Sequence, residues 1–534
     1  MRKFKTMTAI ALASMMMLSG CSGNSAQTST NADESSSIKM DAEKSESVDV
    51  DGQADILNVL LTSEPTGIEP GCSANTNDCT AQMQVYECLV MQDHGDTSTV
   101  VPLLAESWEF EDDGKVIVFK IKNGVKFHSG DELTAEDVAW SLNKSITLPS
   151  TKNLSGSIDH AEVRDDDHVE LHLKHAFKPI LSILVNPCFG IMNKSWYEEE
   201  TAKGTNTLRI EDGTGPYILT KWASGDELSY EEFDQWHMGE PNFKAISLRI
   251  VSDATTGSLS VENGEADVLI GMNTQDRDRL AANPDIQILD ALSTGYHFTC
   301  CNIDKEPFNN VKIRQAIAHA INHEEMLQGG LDGQGMTTDY PVTPGYFGYE
   351  EDFKGLEYDP ELAKTLLAEA GYPDGFTTTI RCRSQSWYTQ PVQVLQEQLA
   401  LVGIKAEIEL METAAYDEDV VGKRNYDMTY YINSGFYPDA DSIYSKRFCR
   451  SLERANMVGD LGEEVYSRVE TAAAETDDEK RKEIYHELAE MNKENAWYIP
   501  IMVGYNNIVI RSDIKNAYGH SSGYYRFAEW AKVQ

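Results

Sequence analysis

The sequence predicts an α/β fold divided into at least two lobes. Strand and helix signals alternate along most of the chain from about Asp55 onwards, which is typical of α/β proteins. The chain has 534 residues, and a single hydrophobic core stops growing at about 250 to 300 residues. After residue 55 no apolar stretch reaches the length of a membrane span, so we expect this part to form a soluble body.

The first 21 residues have the pattern of a bacterial lipoprotein signal. A basic start at Arg2, Lys3 and Lys5 precedes an apolar run over residues 10–18, which is too short to span a bilayer as a mature helix. The sequence Leu-Ser-Gly-Cys then ends at Cys21. We expect cleavage before Cys21 and lipid attachment to it; an ordinary cleaved signal with an incidental cysteine is the alternative.

Residues 22–54 are predicted to be a disordered tether. This stretch consists mainly of Ser, Thr, Asn, Asp and Glu, with almost no side chain that a core would bury. The tether would connect the lipid anchor to the folded body that follows.

The charge balance excludes some classes of partner. The formal net charge is −42, from 87 acidic and 45 basic residues. Nucleic acid phosphates require a basic surface, and anionic lipid attracts basic segments. We therefore expect no nucleic acid partner and a solvated acidic surface that favours solubility.

Eight cysteines follow Cys21, which permits disulfides outside the cytoplasm but does not fix their pairing. Cys72 and Cys79 are close enough in sequence to form a local disulfide, and free thiols are the alternative. The chain contains no CxxC pair, so the cysteines do not indicate a zinc site.

Four elements are well marked along the body. The β-branched stretch at 116–121 predicts a hairpin strand before the turn at Lys122-Asn-Gly124. Thr134 and Asp137 resemble a capping box and predict a helix from about Ala135. Apolar spacing predicts a helix over 311–322 behind Asn310. Asp359, Pro360 and Gly371 bound another predicted helix over 360–370.

Motifs for catalysis or cofactor binding are not found. The chain has no HExxH sequence. Gly213-Thr-Gly-Pro-Tyr217 is unsuited to phosphate binding because Pro216 lacks an N–H, so it predicts a turn into a strand. His319 and His323 lie four apart on a predicted helix, and His168 and His172 share a strand face; without a third ligand nearby, solvated faces are expected. We predict no catalytic residue, cofactor or metal site.

Six motifs, taken in order, resemble the family 5 extracellular solute-binding proteins of bacterial ABC importers, which include dipeptide, oligopeptide and nickel binders. Each motif is weak alone, but together they cover nearly the whole chain after the tether. They are Leu104-Ala-Glu-Ser-Trp108; Val125-Lys-Phe-His-Ser-Gly-Asp131 with Leu133-Thr-Ala-Glu-Asp-Val138; Gly213-Thr-Gly-Pro-Tyr-Ile-Leu219; Asn263-Gly-Glu-Ala-Asp267; Pro307-Phe308 with Ile313-Arg-Gln-Ala-Ile317; and the stretch from Tyr358 to Phe376.

The resemblance implies a hinged, two-lobed periplasmic-binding-protein-like (Venus flytrap) fold. Lobe I would span residues 55–295 with an extra subdomain, lobe II residues 296–500, and residues 501–534 would return to lobe I. The segments 296–302 and 499–503 would be the crossings that bend.

The same resemblance implies a subunit of an importer and not an enzyme, and with the lipoprotein signal we expect a lipid-anchored, extracytoplasmic monomer. It would capture a peptide or peptide-like solute between its lobes and deliver it to an ABC permease and its ATPase subunits. Nickel chelates and oligosaccharides are further candidate ligands. An enzyme or a chemosensory receptor component on the same scaffold is the alternative function.

The resemblance also implies candidate ligand-binding residues. Peptide binders place an arginine for the ligand carboxylate in a stretch matching residues 380–387. Arg381 or Arg383 would supply this group, and Trp387 would cover a side chain or ring. Surface ion pairs are the alternative role for both arginines.

A second candidate group lies in residues 430–439, where peptide binders usually carry an aspartate for the ligand amine. This chain has neutral Asn433 and Ser434 there, next to Tyr431 and before Asp439. Burying an ammonium without a carboxylate costs several kcal/mol. A zwitterionic dipeptide is therefore disfavoured unless Asp439, Asp441 or the region of Glu64 supplies the charge. The aromatic residues would equally line an apolar or sugar pocket, or fill core.

Overall fold

The computed structural model describes residues 56–93, 97–450 and 456–533. The predicted signal, Cys21 and the tether therefore lie outside the described residues. The strands are β1 Ile56–Leu61, β2 Val90–Gln92, β3 Val100–Pro102, β4 Ala105–Glu111, β5 Val116–Ile121, β6 Ile158–Asp165, β7 His168–Leu173, β8 Tyr217–Ala223, β9 Glu227–Glu232, β10 Ala245–Ile250, β11 Val268–Ile270, β12 Ile286–Cys301, β13 Gly335–Thr337, β14 Phe376–Arg383, β15 Ile404–Met411, β16 Met428–Ser434, β17 Tyr498–Arg511, β18 Ile514–Lys515 and β19 Ala531–Lys532.

Helices alternate with these strands, as the α/β prediction requires. They are α1 Thr76–Val85, α2 Ala135–Ser145, α3 Ile180–Leu184, α4 Lys194–Lys203, α5 Ala254–Glu262, α6 Arg277–Ala281, α7 Val311–His319, α8 His323–Leu331, α9 Pro360–Glu369, α10 Ser386–Leu401, α11 Thr413–Tyr416, α12 Asp441–Arg447, α13 Glu463–Ala474 and α14 Asp478–Asn495. A π-helical turn, Asp417–Gly422, follows α11. Among the described residues, no helix is both long and apolar enough to cross a membrane.

The main sheet has two halves that share two long strands. Its order is β15-β14-β16-β12-β17-β11-β1-β10-β9-β8, and β13 also pairs with β17. We call the part built on β1 and β8 to β11 the first half and the part built on β14 to β16 the second half. Strands β12 and β17 run antiparallel to each other through both, and separate hydrophobic clusters fill the two halves.

The interruption in the shared strands lies just before the predicted bending segments. The pairing of β12 with β17 is irregular between Leu292 and Tyr296, opposite Val503 and Tyr505. From Tyr296 onwards β12 is bonded on both edges, to β16 and to β17. Residues 293–295, which have no partner in β17, therefore border the predicted bending segment 296–302.

A separate four-stranded antiparallel sheet, in the order β4-β5-β7-β6, forms an extra subdomain. The predicted strand is β5, with the predicted bounds. The capping box at the start of α2 is confirmed, since Asp137 N donates to Thr134 Oγ1 at 3.2 Å and Thr134 N donates to Asp137 Oδ2 at 3.1 Å. Side chains of α2 and α3 complete the core of this subdomain.

The other two predicted helices are α7 and α9. Asn310 caps α7 and Asp359 caps α9, which begins with Pro360 and is followed by Gly371 at φ 95°. Helix α7 ends at His319, three residues earlier than predicted. Asn322 instead caps α8, because its side chain accepts a hydrogen bond from Glu325 N at 3.2 Å.

The glycines of the motif Gly213-Thr-Gly-Pro-Tyr217 allow two chain segments to meet. A Cβ at Gly213 or Gly215 would collide with the main chain of Val85 at the end of α1. Gly215 N donates to Val85 O at 2.8 Å, and Tyr217 then begins β8. The motif is thus a turn into a strand, as predicted.

The predicted disulfide between Cys72 and Cys79 is not formed. All eight cysteines after Cys21 are free thiols. Cys79 shares a hydrogen bond with Cys188 instead, while Cys72 Sγ accepts a bond from Gln82 Nε2 at 3.4 Å. Residue 79 lies inside α1, whose helical geometry directs its thiol toward Cys188 rather than back toward the loop that carries Cys72.

Candidate functional site

A pocket of about 220 Å³ lies where the two halves and the subdomain meet. Its lining comes from five parts of the molecule, whose residues are far apart in sequence. The start of α1 contributes Ala74 and Thr76, and the subdomain contributes Ser150, Asn153, Leu154, Ser182, Val185 and Asn186. Thr294 comes from β12, and Ser522 and Tyr524 from the C-terminal segment. The second half contributes Tyr346 and the run from Gly435 to Pro438.

The second half reaches across the pocket through Tyr437. This side chain is 7% exposed and packs in the hydrophobic core of the subdomain. Thr97 Oγ1 donates to Gly345 O at 3.0 Å, and Lys178 N donates to Ala473 O at 2.8 Å. These contacts join the second half to the subdomain and to the neighbouring β2–β3 connection.

Gly435 permits this close arrangement. A Cβ there would lie 2.6 Å from Cε2 of Tyr346, which is itself buried. Gly435 N donates to Thr294 O at 3.4 Å. The glycine therefore lets the loop of the second half approach the interrupted part of β12.

A wider, open cavity of about 660 Å³ adjoins the pocket at Thr76. It lies beyond the carboxyl ends of the parallel strands β1 and β11, and residues of β17 also line it. The crevice outside the carboxyl ends of parallel strands is the usual ligand site of an open α/β sheet.

Three cations gather beside the pocket on the second half. The guanidinium groups of Arg383 and Arg447 lie 5.1 and 5.2 Å from the ring centroid of Tyr431. Lys446 Nζ lies 4.5 Å from the ring centroid of Phe436, which lines the pocket. We call Arg383, Lys446 and Arg447 the cationic cluster.

The charge of Lys446 is sensitive to its surroundings. Burial and, to a smaller extent, the neighbouring charges of Arg447 and Arg383 together lower the pKa of Lys446 to about 7. Desolvation and like charges both disfavour an ammonium ion. An anion bound at the cluster would relieve that repulsion.

Several buried polar atoms around the cluster have no hydrogen-bond partner. They are Arg383 Nε, Asn433 Nδ2 and Tyr296 Oη. Buried polar groups are normally bonded, because an unmet donor costs about 1–3 kcal/mol. Arg383 Nε, the least enclosed of the three, can thus donate to an oxygen acceptor of a ligand.

The two predicted arginines differ in their partners. Arg381 donates to Glu409 Oε2 at 2.8 Å and to Asp419 Oδ2 at 2.6 Å, and it also contacts Asn425 O. Arg383 pairs with Asp417 of the π-helical turn and donates to Tyr431 Oη at 3.3 Å. Arg381 is therefore enclosed by acceptors, whereas Arg383 belongs to the cationic cluster.

The structure brings together three more of the predicted site residues. Tyr431 stacks on Tyr416 with ring centroids 5.6 Å apart. Asn433 Oδ1 accepts from Arg447 Nε at 2.9 Å, and the carbonyl of Ser434 accepts from Lys446 Nζ at 3.4 Å. Tyr431 and Asn433 share one face of β16 with the cationic cluster, and Ser434 ends the strand directly before Gly435 of the pocket.

Two predicted residues lie apart from this group. Trp387 is 57% exposed at the start of α10. Asp439 forms a buried ion pair with Arg481, with Nη2–Oδ1 at 2.9 Å, and so has a structural partner already. The other suggested carboxylates are also engaged, since Glu64 accepts bonds from Trp222, Ser224 and Gly225 and Asp441 accepts from Tyr437 Oη.

Sequence reasoning missed the first-half and subdomain parts of the pocket. Ser150, Asn153, Ser182, Asn186 and Tyr524 lie in unrelated short helices and loops, and no local pattern links them. Lys446 and Arg447 gave a weak sequence signal for a binding site, because two adjacent cations are uncommon in so acidic a chain.

Comparison with known proteins identifies the family. Residues 99–450 match the family model described as bacterial extracellular solute-binding proteins, family 5 Middle. The chain is 26% identical over 498 residues to heme-binding protein A of Haemophilus influenzae, covering 87% of this chain and 90% of that protein. It is 29% identical over 414 residues to glutathione-binding protein GsiB of Salmonella choleraesuis, covering 75% and 80%.

A solved structure shows the same fold. HbpA2 from Haemophilus parasuis superposes with a TM-score of 0.84 at 24% sequence identity, covering 90% of this chain and 100% of that one. The two-lobed binding-protein fold with an extra antiparallel subdomain is therefore confirmed.

The chain belongs to the bacterial extracellular solute-binding proteins of family 5. It is a substrate-binding protein of an ABC importer and not an enzyme, as the resemblance predicted. The alternative of an enzyme on this scaffold is thereby set aside.

Proposed function

We propose that the protein binds a peptide-like solute with at least one carboxylate between its two halves. The observation that carries this proposal is the cationic cluster beside the pocket. A chain with a net charge of −42 places three cations within reach of one tyrosine and one phenylalanine. Such a concentration of positive charge favours an anionic ligand.

Arg383 is the proposed anchor for the ligand carboxylate. A guanidinium binds a carboxylate through two parallel hydrogen bonds, and Arg383 Nε has no acceptor. Its partner Asp417 is 47% exposed, so a ligand can displace it into solvent. Arg381 lacks this freedom, because Glu409, Asp419 and Asn425 already surround it.

The pocket favours a net anionic ligand over a zwitterionic dipeptide. None of the residues that line it is an aspartate or glutamate. Asp441 lies behind Tyr437, and burial together with Asp439 raises the pKa of its carboxyl to about 6. A ligand amine would thus find hydroxyl and amide oxygens but no fully exposed carboxylate. Glutathione, the solute in the name of one relative, is a peptide-like compound with two carboxylates and fits this chemistry.

The test compares two matched arginines by isothermal titration calorimetry with glutathione. We expect Arg383→Gln to weaken binding at least tenfold, whereas Arg381→Gln binds like the unmodified protein. The two residues share a strand and a face, and each pairs with a carboxylate. Equal affinity in both variants would contradict the proposal. So would recovery of heme, the solute in the name of another relative, by native mass spectrometry of the purified protein.

The domain organisation is proposed as the sequence predicted it. Lobe I would span residues 55–295 with the subdomain, lobe II residues 296–500, and residues 501–534 would return to lobe I. Support comes from β17, which leaves the second half and pairs with β11 of the first half through Ile508 to Ile510.

The membrane attachment is likewise proposed from the sequence. Cys21 would carry lipid and hold a monomer at the outer face of the membrane, close to the permease and ATPase subunits. Replacing Cys21 with alanine should release the protein from the membrane fraction, and continued membrane association of that variant would contradict the anchor.

A further inference from the structure

The outer face of the β6–β7 hairpin carries a cluster of imidazoles and carboxylates far from the cleft residues. Two cross-strand pairs form it: His160 lies opposite His172, and Glu162 lies opposite Glu170. The alternating residues Val169, Leu171 and Leu173 face the subdomain core, so all four polar side chains share the outward face. We call these four residues the hairpin cluster.

The distances within the hairpin cluster match those of ligands around one metal ion. His172 Nε2 lies 3.2 Å from Glu162 Oε1 and 3.1 Å from Glu170 Oε2. Bonds from zinc to nitrogen or oxygen are about 2.0–2.2 Å, so two ligands of a tetrahedral site lie about 3.3 Å apart. The ligand atoms of His160, Glu162 and His172 all lie within 4.8 Å of one another.

His172 has an unmet nitrogen at the centre of this cluster. Its Nε2 is shielded from solvent and makes no hydrogen bond, although two carboxylate oxygens are close. The two carboxylate oxygens lie close to this nitrogen but are not aligned to form hydrogen bonds with it. This arrangement is expected when the nitrogen and the oxygens all bind a third atom, such as a metal ion. The rings of His160 and His172 stack in parallel, with an interplanar angle of 2° and centroids 4.5 Å apart, so the two imidazoles are neighbours on the outward face, and one ring must turn about its side-chain bonds for both to bind one ion.

Outer contacts orient the candidate ligands. His160 Nδ1 lies 2.9 Å from Asp159 Oδ2, which leaves Nε2 of that ring to coordinate. Arg164 Nε lies 3.3 Å from Glu170 Oε1, which leaves Oε2 directed at His172. A carboxylate on the second nitrogen of a metal-binding histidine fixes its tautomer and orientation in most protein sites.

We propose that the hairpin cluster binds one zinc ion. Two imidazoles with carboxylates are a zinc donor set, whereas Mg²⁺ and Ca²⁺ prefer oxygen ligands alone. The ion would link β6 to β7 on the outward face of the hairpin, which does not pack against the subdomain core. The members of the cluster meet across strands, so no local pattern in the sequence marks them as a site. His319 and His323 do not share a ligand position, because His319 contacts Glu357 O and His323 contacts Asp339.

Calorimetric titration of the tag-free protein with zinc chloride tests the proposal. We expect one zinc per chain, at least tenfold weaker binding in His172→Ala and in His160→Ala, and a zinc-dependent rise in melting temperature that both variants lose. Circular dichroism checks that each variant is folded. His486→Ala is the matched control: His486 is 47% exposed beside Glu350, as His160 is 46% exposed beside Asp159, and its loss should leave zinc affinity unchanged.

Two outcomes would overturn the proposal. One is zinc affinity unchanged in both His160→Ala and His172→Ala. The other is a loss of binding in His168→Ala alone, which would assign the ion to Asp165, Asp167 and His168 at the end of the same hairpin. Because the cluster lies outside the ligand pocket, Arg383→Gln should bind zinc normally, so failure here leaves the proposed solute site untouched.

Discussion

Lys446 is the side chain through which solution pH should act on ligand binding. Burial and the charges of Arg447 and Arg383 lower its pKa to about 7, so it loses its proton near neutral pH. A bound carboxylate favours the protonated form and raises that pKa. Binding should therefore take up protons around pH 7, and affinity should fall as the pH rises.

The prediction is a loss of about tenfold in affinity for an anionic peptide-like ligand between pH 6 and pH 8, if only the charged amine binds. Calorimetry in two buffers of different ionisation enthalpy measures both the affinity and the proton uptake. Lys446→Arg is the control, because arginine keeps its charge across this range. An identical pH profile in that variant would show that another group titrates.

At the scale of elements, helix α14 holds the pocket loop through a buried ion pair. Arg481 of α14 donates to both oxygens of Asp439, to Ala472 O at 2.9 Å and to Tyr485 Oη at 3.0 Å. Asp439 follows directly after Pro438, which lines the pocket. The pair therefore fixes the loop that carries Tyr437 into the subdomain.

Arg481→Met should lower the free energy of unfolding by about 3–5 kcal/mol, because it leaves Asp439 charged and buried without a partner. Urea denaturation followed by circular dichroism measures this. Arg468→Met removes an exposed pair with Glu487 and should cost at most about 1 kcal/mol. Equal stability of the two variants would mean that the Arg481–Asp439 ion pair does not stabilise the fold. Asp439 would then again be a candidate for binding the ligand.

Elements with local signals could be predicted from the sequence, whereas the assembled site could not. Thr134, Asn310 and Asp359 act within one helical turn, so their positions mark helix starts directly. The segment before Pro438 was found through the family resemblance. Ser150 and Tyr524 lie next to this segment only in the folded chain, after β17 has returned to the first half. No periodic pattern in the sequence predicts that return. Similarly, Asp439 was predicted to be a ligand-binding residue because its ion-pair partner, Arg481, lies 42 residues away and cannot be recognised from the local sequence.

At the scale of the whole molecule, the described arrangement is a closed one. Tyr437 from the second half is buried in the subdomain core, and hydrogen bonds link Thr97 to Gly345 and Lys178 to Ala473. Only β12 and β17 cross between the halves within the main sheet as described. A rotation at residues 293–295 would expose Tyr437 and open the pocket, so a ligand that contacts both halves stabilises closure.

Small-angle X-ray scattering with and without saturating glutathione tests ligand-linked closure most directly. The prediction is a smaller radius of gyration with the ligand in the unmodified protein and in Arg381→Gln, and no change at the same concentration in Arg383→Gln. Superimposable scattering curves at a ligand concentration where calorimetry shows full binding would contradict closure of the two halves around the solute.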